Sequence, residues 1–108
     1  MRIPRRIIVG GHEIEVKRSK RIQSTDEDAP ETRIGEARDS EKDILLATHS
    51  CFGKLSESYM AQTFLHEIMH HVASIYLQRA VSEKVIGGLS EGLFQVLRTN
   101  KLDFSGKE

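Results

Sequence analysis

The sequence predicts an α+β fold, in which a small antiparallel sheet of two hairpins is followed by a C-terminal helical hairpin. Two observations support this prediction: the first half is rich in β-branched residues that alternate around turn residues, and the second half repeats apolar residues at helical spacing. Strands that all precede the helices favour an α+β arrangement. Residues 1–108 are expected to form one domain, because this length suits a single core.

The first predicted hairpin is built around Gly10-Gly11. The run Arg5 to Val9 before it is rich in β-branched residues, and the run His12 to Lys17 after it places Ile14 and Val16 on one face. Two glycines between such runs favour a tight turn, because two-residue hairpin turns need positive φ.

A loop and a second hairpin are predicted next. Residues 18–32 have no apolar rhythm and include Pro30, so we expect a loop there. Residues 33–48 are expected to form a second antiparallel hairpin. Its polar turn at Asp39-Ser40-Glu41 precedes the apolar run Ile44-Leu45-Leu46.

Two helices are predicted in the second half. Ser56 or Ser58 can cap a first helix that ends at about residue 76 or 77, and Ser82 can cap a second helix that ends near Asn100. At about 100° per residue, the apolar residues of each helix fall on one broad face. The residues expected to face inward are Phe64, Leu65, Ile68, Met69, Val72, Ile75 and Tyr76 in the first helix, and Val85, Ile86, Leu89, Leu93, Val96 and Leu97 in the second.

The main site candidate is the stretch His66-Glu67-Ile68-Met69-His70. Residues four apart on a helix lie on the same face, so His66 and His70 can hold one cation between their imidazoles. Glu67 flanks the ion, where a carboxylate can take a proton from metal-bound water. The pattern therefore predicts a zinc (Zn²⁺) site with His66 and His70 as ligands and Glu67 as the catalytic base.

The helical positions of the histidines support this prediction. With Ile68 at zero, the apolar face spans about −40° to +100°, whereas His66 and His70 lie at about 180°. The two histidines therefore leave the core face together and can line a cleft. His71 falls beside Phe64, so we expect it to flank the core rather than to bind metal.

A catalytic zinc ion usually has three protein ligands and one open position, so a third ligand must come from elsewhere. Glu83 and Glu91 on the second helix are the candidates. A tight helical hairpin that turns near residue 80 would place Glu91 at the depth of His70. The predicted inward face of the second helix favours Glu83 instead, because Glu91 points away from that face. We predict Glu83 as the third ligand, with Glu91 as the alternative.

The stretch Leu65 to His71 resembles the HExxH helix of zincin metallopeptidases. Residues 33–100 as a whole are similar to small metallopeptidase-like proteins of phages and bacteria, which are minimal gluzincins distantly similar to the ImmA/IrrE class. In that class the third ligand is a Glu at the start of a helix reading E-x-x-A-N-x-F-A. Glu83 takes that place here, with Ile86-Gly87 instead of A-N and Leu89-Ser90 at the F-A positions. The resemblance implies a zincin-like domain that hydrolyses peptide bonds in a peptide or protein substrate.

Other polar side chains could assist such a site. Peptide hydrolysis passes through an oxyanion, and the donors available in the sequence are Tyr59, Tyr76 and His49. Tyr59 lies on the histidine side of the helix, although a tyrosine at a helix start more often packs at a boundary. Cys51 lies two residues after His49, but nothing in the sequence identifies a third group that would orient such a pair, so we interpret Cys51 as a lone thiol.

Composition excludes several classes of partner. Lys plus Arg number 16 and Asp plus Glu number 16, so the net charge is zero and gives no footprint for nucleic acid or for an anionic membrane. The single cysteine cannot form an internal disulfide and fits a reducing cytosol. The N-terminal apolar run Ile7-Ile8-Val9 is too short for a signal-peptide core or a membrane span. We therefore expect a soluble, cytoplasmic monomer.

Three hypotheses for function follow. The leading one is a zinc-dependent peptidase in which Glu67 activates metal-bound water. The alternative is a non-catalytic, zinc-stabilised module that binds protein partners, since a metal can matter to the stability of a domain of 108 residues. A metal-dependent hydrolase acting on other substrates ranks last, because the sequence lacks a further histidine spaced for a three-histidine site.

Overall fold

The computed structural model describes residues 3–22 and 33–102. The first four strands form one sheet in the order β1-β2-β4-β3, a short two-stranded hairpin follows, and two helices complete the fold. The elements are β1 (Arg6–Val9), β2 (His12–Ser19), β3 (Gly35–Arg38), β4 (Asp43–Ala47), β5 (His49–Ser50), β6 (Gly53–Lys54), α1 (Glu57–Leu77) and α2 (Glu83–Thr99). The predicted α+β class is confirmed. Residues 23–32 of the predicted loop lie outside the described residues.

The large sheet is mixed, so the prediction of an antiparallel sheet is wrong. The pairs β1–β2 and β3–β4 are antiparallel, but β2 and β4 run parallel to each other. The cause is the position of β3, which lies at the outer edge of the sheet. After β3, the chain turns back and β4 pairs between β3 and β2. In this position β4 runs in the same direction as β2. As a result, β3 is an edge strand, and it contacts α1.

The β1–β2 hairpin turns at the two glycines. Gly10 has φ 57° and Gly11 has φ 81°, which is the left-handed region that two-residue hairpin turns require. A Cβ atom added to Gly10 would lie 2.6 Å from Cγ2 of Ile75. The tip of this hairpin therefore packs directly against the C-terminal part of α1.

The core lies between the sheet and α1. Alternate residues of β2 point inward, and the central strand β4 is buried along most of its length. Helix α1 covers this face with side chains about one turn apart. The buried core cluster consists of Ile3, Val9, Ile14, Val16, Ile44, Leu46, Met60 and Phe64, and Ile7, Leu55, Ile68, Val72 and Ile75 pack against it.

The helix boundaries follow the expected capping residues. Oγ of Ser56 accepts a hydrogen bond from the backbone of Tyr59 at 3.1 Å, and Oγ of Ser82 caps α2 in the same way. Helix α1 ends at Leu77, and its C-cap residue Gln78 adopts the left-handed conformation. Tyr76, which was predicted to face inward, is 66% exposed, because it meets only the tip of the β1–β2 hairpin at Gly10.

Helix α2 packs on α1 through a different face from the predicted one. Its buried residues are Ile86 and Ser90. The helices approach each other across small side chains, since Gly87 and Ser90 both lie against His66. Four residues that were predicted to face inward are therefore 40–55% exposed: Val85, Leu89, Leu93 and Val96. Within the described part of the chain, neither helix is both long and apolar enough to cross a membrane.

Asp43 joins the strands of the sheet through its buried carboxylate and contacts α1 through its backbone carbonyl. The Asp43 carboxylate is 1% exposed, accepts a hydrogen bond from Nε of Arg38 at 2.7 Å and lies 3.2 Å from Nζ of Lys17. These contacts, led by the Arg38 hydrogen bond, lower the pKa of Asp43 against the opposing effect of burial. The backbone carbonyl of Asp43 lies 2.8 Å from Nε2 of His71 and accepts its hydrogen bond. Asp43 therefore links β2, β3 and α1.

We expect Asp43→Asn to lower the free energy of unfolding at pH 7 by about 1.5–3 kcal/mol, because it removes a charge that is hydrogen-bonded in the folded state. The folded-state pKa of Asp43 lies below its unfolded value. Its contribution is therefore present above about pH 4 and is lost as the pH falls through the folded-state pKa. Denaturant titrations should show the wild type and the variant converging on acidification.

The control for this prediction is Glu13→Gln, which breaks the exposed ion pair between Arg6 and Glu13. This variant should leave the unfolding midpoint nearly unchanged, because exposed pairs contribute little. An Asp43→Asn gap that stays equally large below the folded-state pKa would contradict the role assigned to the charge.

Candidate metal centre

Three side chains converge between α1 and α2. The Nε2 atoms of His66 and His70 are 3.2 Å apart. The Glu83 carboxylate reaches both of them, with Oε2 at 3.0 Å from His66 Nε2 and Oε1 at 2.8 Å from His70 Nε2. Ligand atoms around a tetrahedral zinc ion are about 3.3 Å apart, given zinc–nitrogen distances of about 2.0–2.1 Å. The observed separations therefore suit one small cation between the three side chains.

The connection between the helices sets which glutamate meets the histidines. Ser58 contacts Arg98 and Gln62 contacts Glu91 at 3.5 Å, so α2 runs antiparallel to α1. The first residue of α2, Glu83, lies beside His70, about two turns before α1 ends. Residues 78–82 therefore double back along α1 instead of turning tightly. Glu91 therefore lies beside Gln62, about one turn before His66 on α1. The expectation that a tight hairpin would place Glu91 at the depth of His70 is wrong.

The orientation of α2 also favours Glu83, but for a different reason from the one predicted. Glu83 lies three residues before Ile86 and seven before Ser90, so all three share the face that meets α1. The predicted inward face was centred nearer Leu89, which left Glu83 at its border. Because the true face is rotated toward the small residues, Glu83 lies close to its centre.

Ser90 orients the His66 ring. Its Oγ lies 3.4 Å from Nδ1 of His66 and donates a hydrogen bond to the Gly87 carbonyl at 3.2 Å. Since a serine hydroxyl has one proton, its oxygen is left to accept from Nδ1–H of His66. The neutral ring then has its lone pair on Nε2, the atom that faces Glu83 and His70. This is the tautomer that a metal ligand requires.

The protonation of His70 is also compatible with metal binding. Burial lowers the pKa of His70, and the neighbouring His66 adds to this effect, while Glu83 opposes it. A lowered pKa favours the neutral imidazole, which is the form that binds a metal ion.

Glu67 points to the sheet side of the site. Its side chain is buried, with 6% of the residue exposed, and one carboxylate oxygen lies within 4.8 Å of the ligand atoms of both histidines. Burial raises the pKa of Glu67 to about 8, and the charge of Glu83 adds to the effect. The charge of Arg33 and the nearby backbone N–H of Ala37 oppose it. A cation between the histidines would lower this pKa, since it favours the ionised carboxylate.

An open cleft of about 740 Å³ contains this cluster. Strand β3 and the residues before it form one wall, and the two helices form the other. Of the predicted oxyanion donors, Tyr59 lines the cleft, whereas Tyr76 and His49 do not. His71 is fully buried between α1 and β4, in keeping with the expectation that it flanks the core, and Cys51 is exposed in the β5–β6 turn.

Two residues near the cluster were missed by the sequence analysis. Ser90 was named only as a position of the resemblance, and no local pattern showed that it would contact His66. Gly35 had a weak one, since a glycine inside a strand often marks a close approach of the backbone to another group. A Cβ atom added to Gly35 would lie 2.7 Å from Oε2 of Glu67.

Comparisons with protein-family models, with curated proteins and with solved structures found no match to this chain. The resemblance to zincins therefore depends on the residues named above.

For zinc bound at this cluster, we expect Glu83→Ala to lower the affinity by about 100-fold or more. Loss of an outer-shell partner alone costs about 10- to 100-fold, and the Glu83 carboxylate contacts both imidazoles. Competition with a chromophoric chelator measures the affinity. Glu91→Ala is the matched control and should bind zinc like the wild type. The reverse ranking of the two variants would exclude the ligand set inferred from the geometry.

Proposed function

We propose that this protein is a zinc-dependent peptidase, in which His66, His70 and Glu83 hold the metal and Glu67 is the general base. The observation that carries the proposal is the convergence of the three ligand side chains, 2.8–3.2 Å apart, beside a buried carboxylate in an open cleft. A zinc ion supplies Lewis acidity toward a carbonyl group and toward water.

Glu67 is suited to move the proton. It lies close to both histidines but does not share the Glu83 position between them, so its carboxylate is left to accept the proton of an attacking water and to return it to the leaving amine. Its burial against β3 excludes bulk water from one side of the carboxylate. These features distinguish Glu67 from Glu83, which is 77% exposed and reaches the histidines from the α2 side.

The edge of β3 supports a peptide substrate. The carbonyl of Ile34 accepts a hydrogen bond from the backbone of Ala47 at 2.8 Å, so this residue pairs inward with β4. Pairing alternates along an antiparallel strand, which turns the backbone groups of Gly35 and Ala37 outward. Both residues line the cleft beside the histidines. An extended peptide can pair with the backbone groups of Gly35 and the carbonyl of Ala37 at such an edge, which leaves the Ala37 N–H to Glu67. This favours peptides over other hydrolase substrates.

We expect purified protein to contain about one zinc ion per chain and to cleave peptides from a broad library. Glu67→Gln should keep the zinc and lose turnover by about 10²- to 10⁴-fold, because it removes the proton acceptor without removing a ligand. Elemental analysis gives the zinc content, and mass spectrometry of the library gives the cleavage.

Glu57→Gln, an identical exchange in the first turn of the same helix, should leave turnover unchanged. Absence of stoichiometric zinc would refute the metal site and the activity together. Zinc with equal cleavage by the wild type and Glu67→Gln would refute only the role of Glu67.

A second candidate function is a zinc-stabilised module that binds protein partners. The observation that favours it is the sparse burial of α2, which has only Ile86 and Ser90 buried. A metal held by His66 and His70 on α1 and by Glu83 on α2 would fasten α2 to the rest of the fold. In this case partner binding should survive Glu67→Gln, whereas the peptidase would lose its activity.

Either function predicts that zinc removal acts first on α2. A chelator should accelerate hydrogen exchange of the α2 amides while the amides of β2 and β4 stay protected, because the core between the sheet and α1 does not depend on the metal ligands. Mass spectrometry of peptic fragments measures this. Equal acceleration across the sheet would mean that the metal is required for the whole fold.

A further inference from the structure

Strand β3 approaches α1 very closely at Gly35. A Cβ atom at this position would lie 2.6 Å from Cγ2 of Thr63, 2.7 Å from Oε2 of Glu67 and 3.2 Å from Cγ of Glu67. Gly35 is not among the residues with positive φ, so its backbone conformation does not require glycine. The requirement is for space, and the space is occupied by the Glu67 side chain.

The same strand also places a backbone N–H near this carboxylate. The N–H of Ala37, two residues after Gly35, helps to lower the pKa of Glu67 against the effect of burial. The backbone N–H and C=O groups of Gly35 and Ala37 point away from β4, because hydrogen-bonded and non-hydrogen-bonded pairs alternate along antiparallel strands. The carboxylate therefore occupies the space that a side chain at position 35 would fill, close to the backbone of Ala37.

We propose that Gly35 and Ala37 form a cradle that sets the position of the Glu67 carboxylate, and that Gly35 is a positioning residue for the general base. The catalytic consequence rests on the proposed function, whereas the cradle itself rests only on these contacts. Helix α1 fixes the Cα of Glu67, but the three side-chain torsions of a glutamate leave its carboxylate free to swing. The contacts with β3 remove that freedom.

The cradle also separates positioning of the base from binding of the metal. The three atoms nearest to a Cβ atom added at Gly35 belong to Thr63 and Glu67, and not to His66, His70 or Glu83. A change at Gly35 should therefore displace the base and leave the three metal ligands in place.

The test is Gly35→Ala. Turnover should fall about 100-fold, since a displacement of about 1 Å can cost that much, while zinc affinity stays that of the wild type. The readout that does not depend on activity is hydrogen exchange at the Ala37 amide, followed by NMR. Exchange should accelerate about fivefold as the interaction with Glu67 is lost, because the contribution of one hydrogen bond, about 1 kcal/mol, corresponds to a factor of about five.

Gly88→Ala is the matched glycine control, because nothing lies within 4 Å of a Cβ atom added there. It should change neither turnover nor exchange at Ala37. A second control separates the two contacts at Gly35: Gly35→Ala combined with Thr63→Ser removes the clash with Cγ2 of Thr63 but keeps the clash with Glu67. The double variant should have a higher free energy of unfolding than Gly35→Ala alone, and its turnover should remain slow.

Three outcomes would overturn the proposal. They are full turnover with a protected Ala37 amide in Gly35→Ala, recovery of turnover in the double variant, and an Ala37 amide that exchanges equally slowly in Glu67→Ala. The last measurement applies even where Gly35→Ala does not fold. If the wild type binds zinc but cleaves no peptide, the proposed function fails, and exchange at Ala37 still decides whether the cradle exists.

Discussion

The rotation of α1 about its own axis is the constraint on which the rest of the structure depends. Apolar contacts of Met60 and Phe64 with the sheet fix one face of the helix, and the hydrogen bond from His71 to the Asp43 carbonyl fixes its position along β4. Once this face is buried, His66 and His70 must point away from the core, because positions on a helix are rigidly related. The location of the candidate metal centre is thus a consequence of core packing.

The residues around the candidate metal centre lower the stability of the fold in two ways. Burying Glu67 is unfavourable for a carboxylate, and its raised pKa reflects that cost. Helix α2 meets α1 through Ile86 and small residues and leaves Val85, Leu89, Leu93 and Val96 exposed, so it buries little surface. Local departures from good packing and full solvation of charges are typical of functional sites. A cation shared by the two helices would offset both effects.

Much of the local structure could be predicted from sequence because it depends on local physics. The two glycines predicted the turn of the first hairpin, and Ser82 predicted the start of α2. The helical spacing of His66 and His70 predicted that their side chains share one face of α1. The parallel pairing of β2 with β4 could not be predicted in this way. It depends on whether the second hairpin enters the sheet with β3 or β4 innermost, and both orders present the same alternation of apolar residues.

The sequence by itself determined that two histidines and a glutamate would lie together on one helix, because four residues make about one turn. Only the tertiary structure decided what surrounds them. Residues 78–82 double back, and this brings Glu83 rather than Glu91 to the histidines. The apolar pattern indicated the wrong face of α2, since hydrophobicity does not show where small side chains allow two helices to approach. Gly35 meets Glu67 through space, a contact between distant parts of the chain that no local pattern encodes.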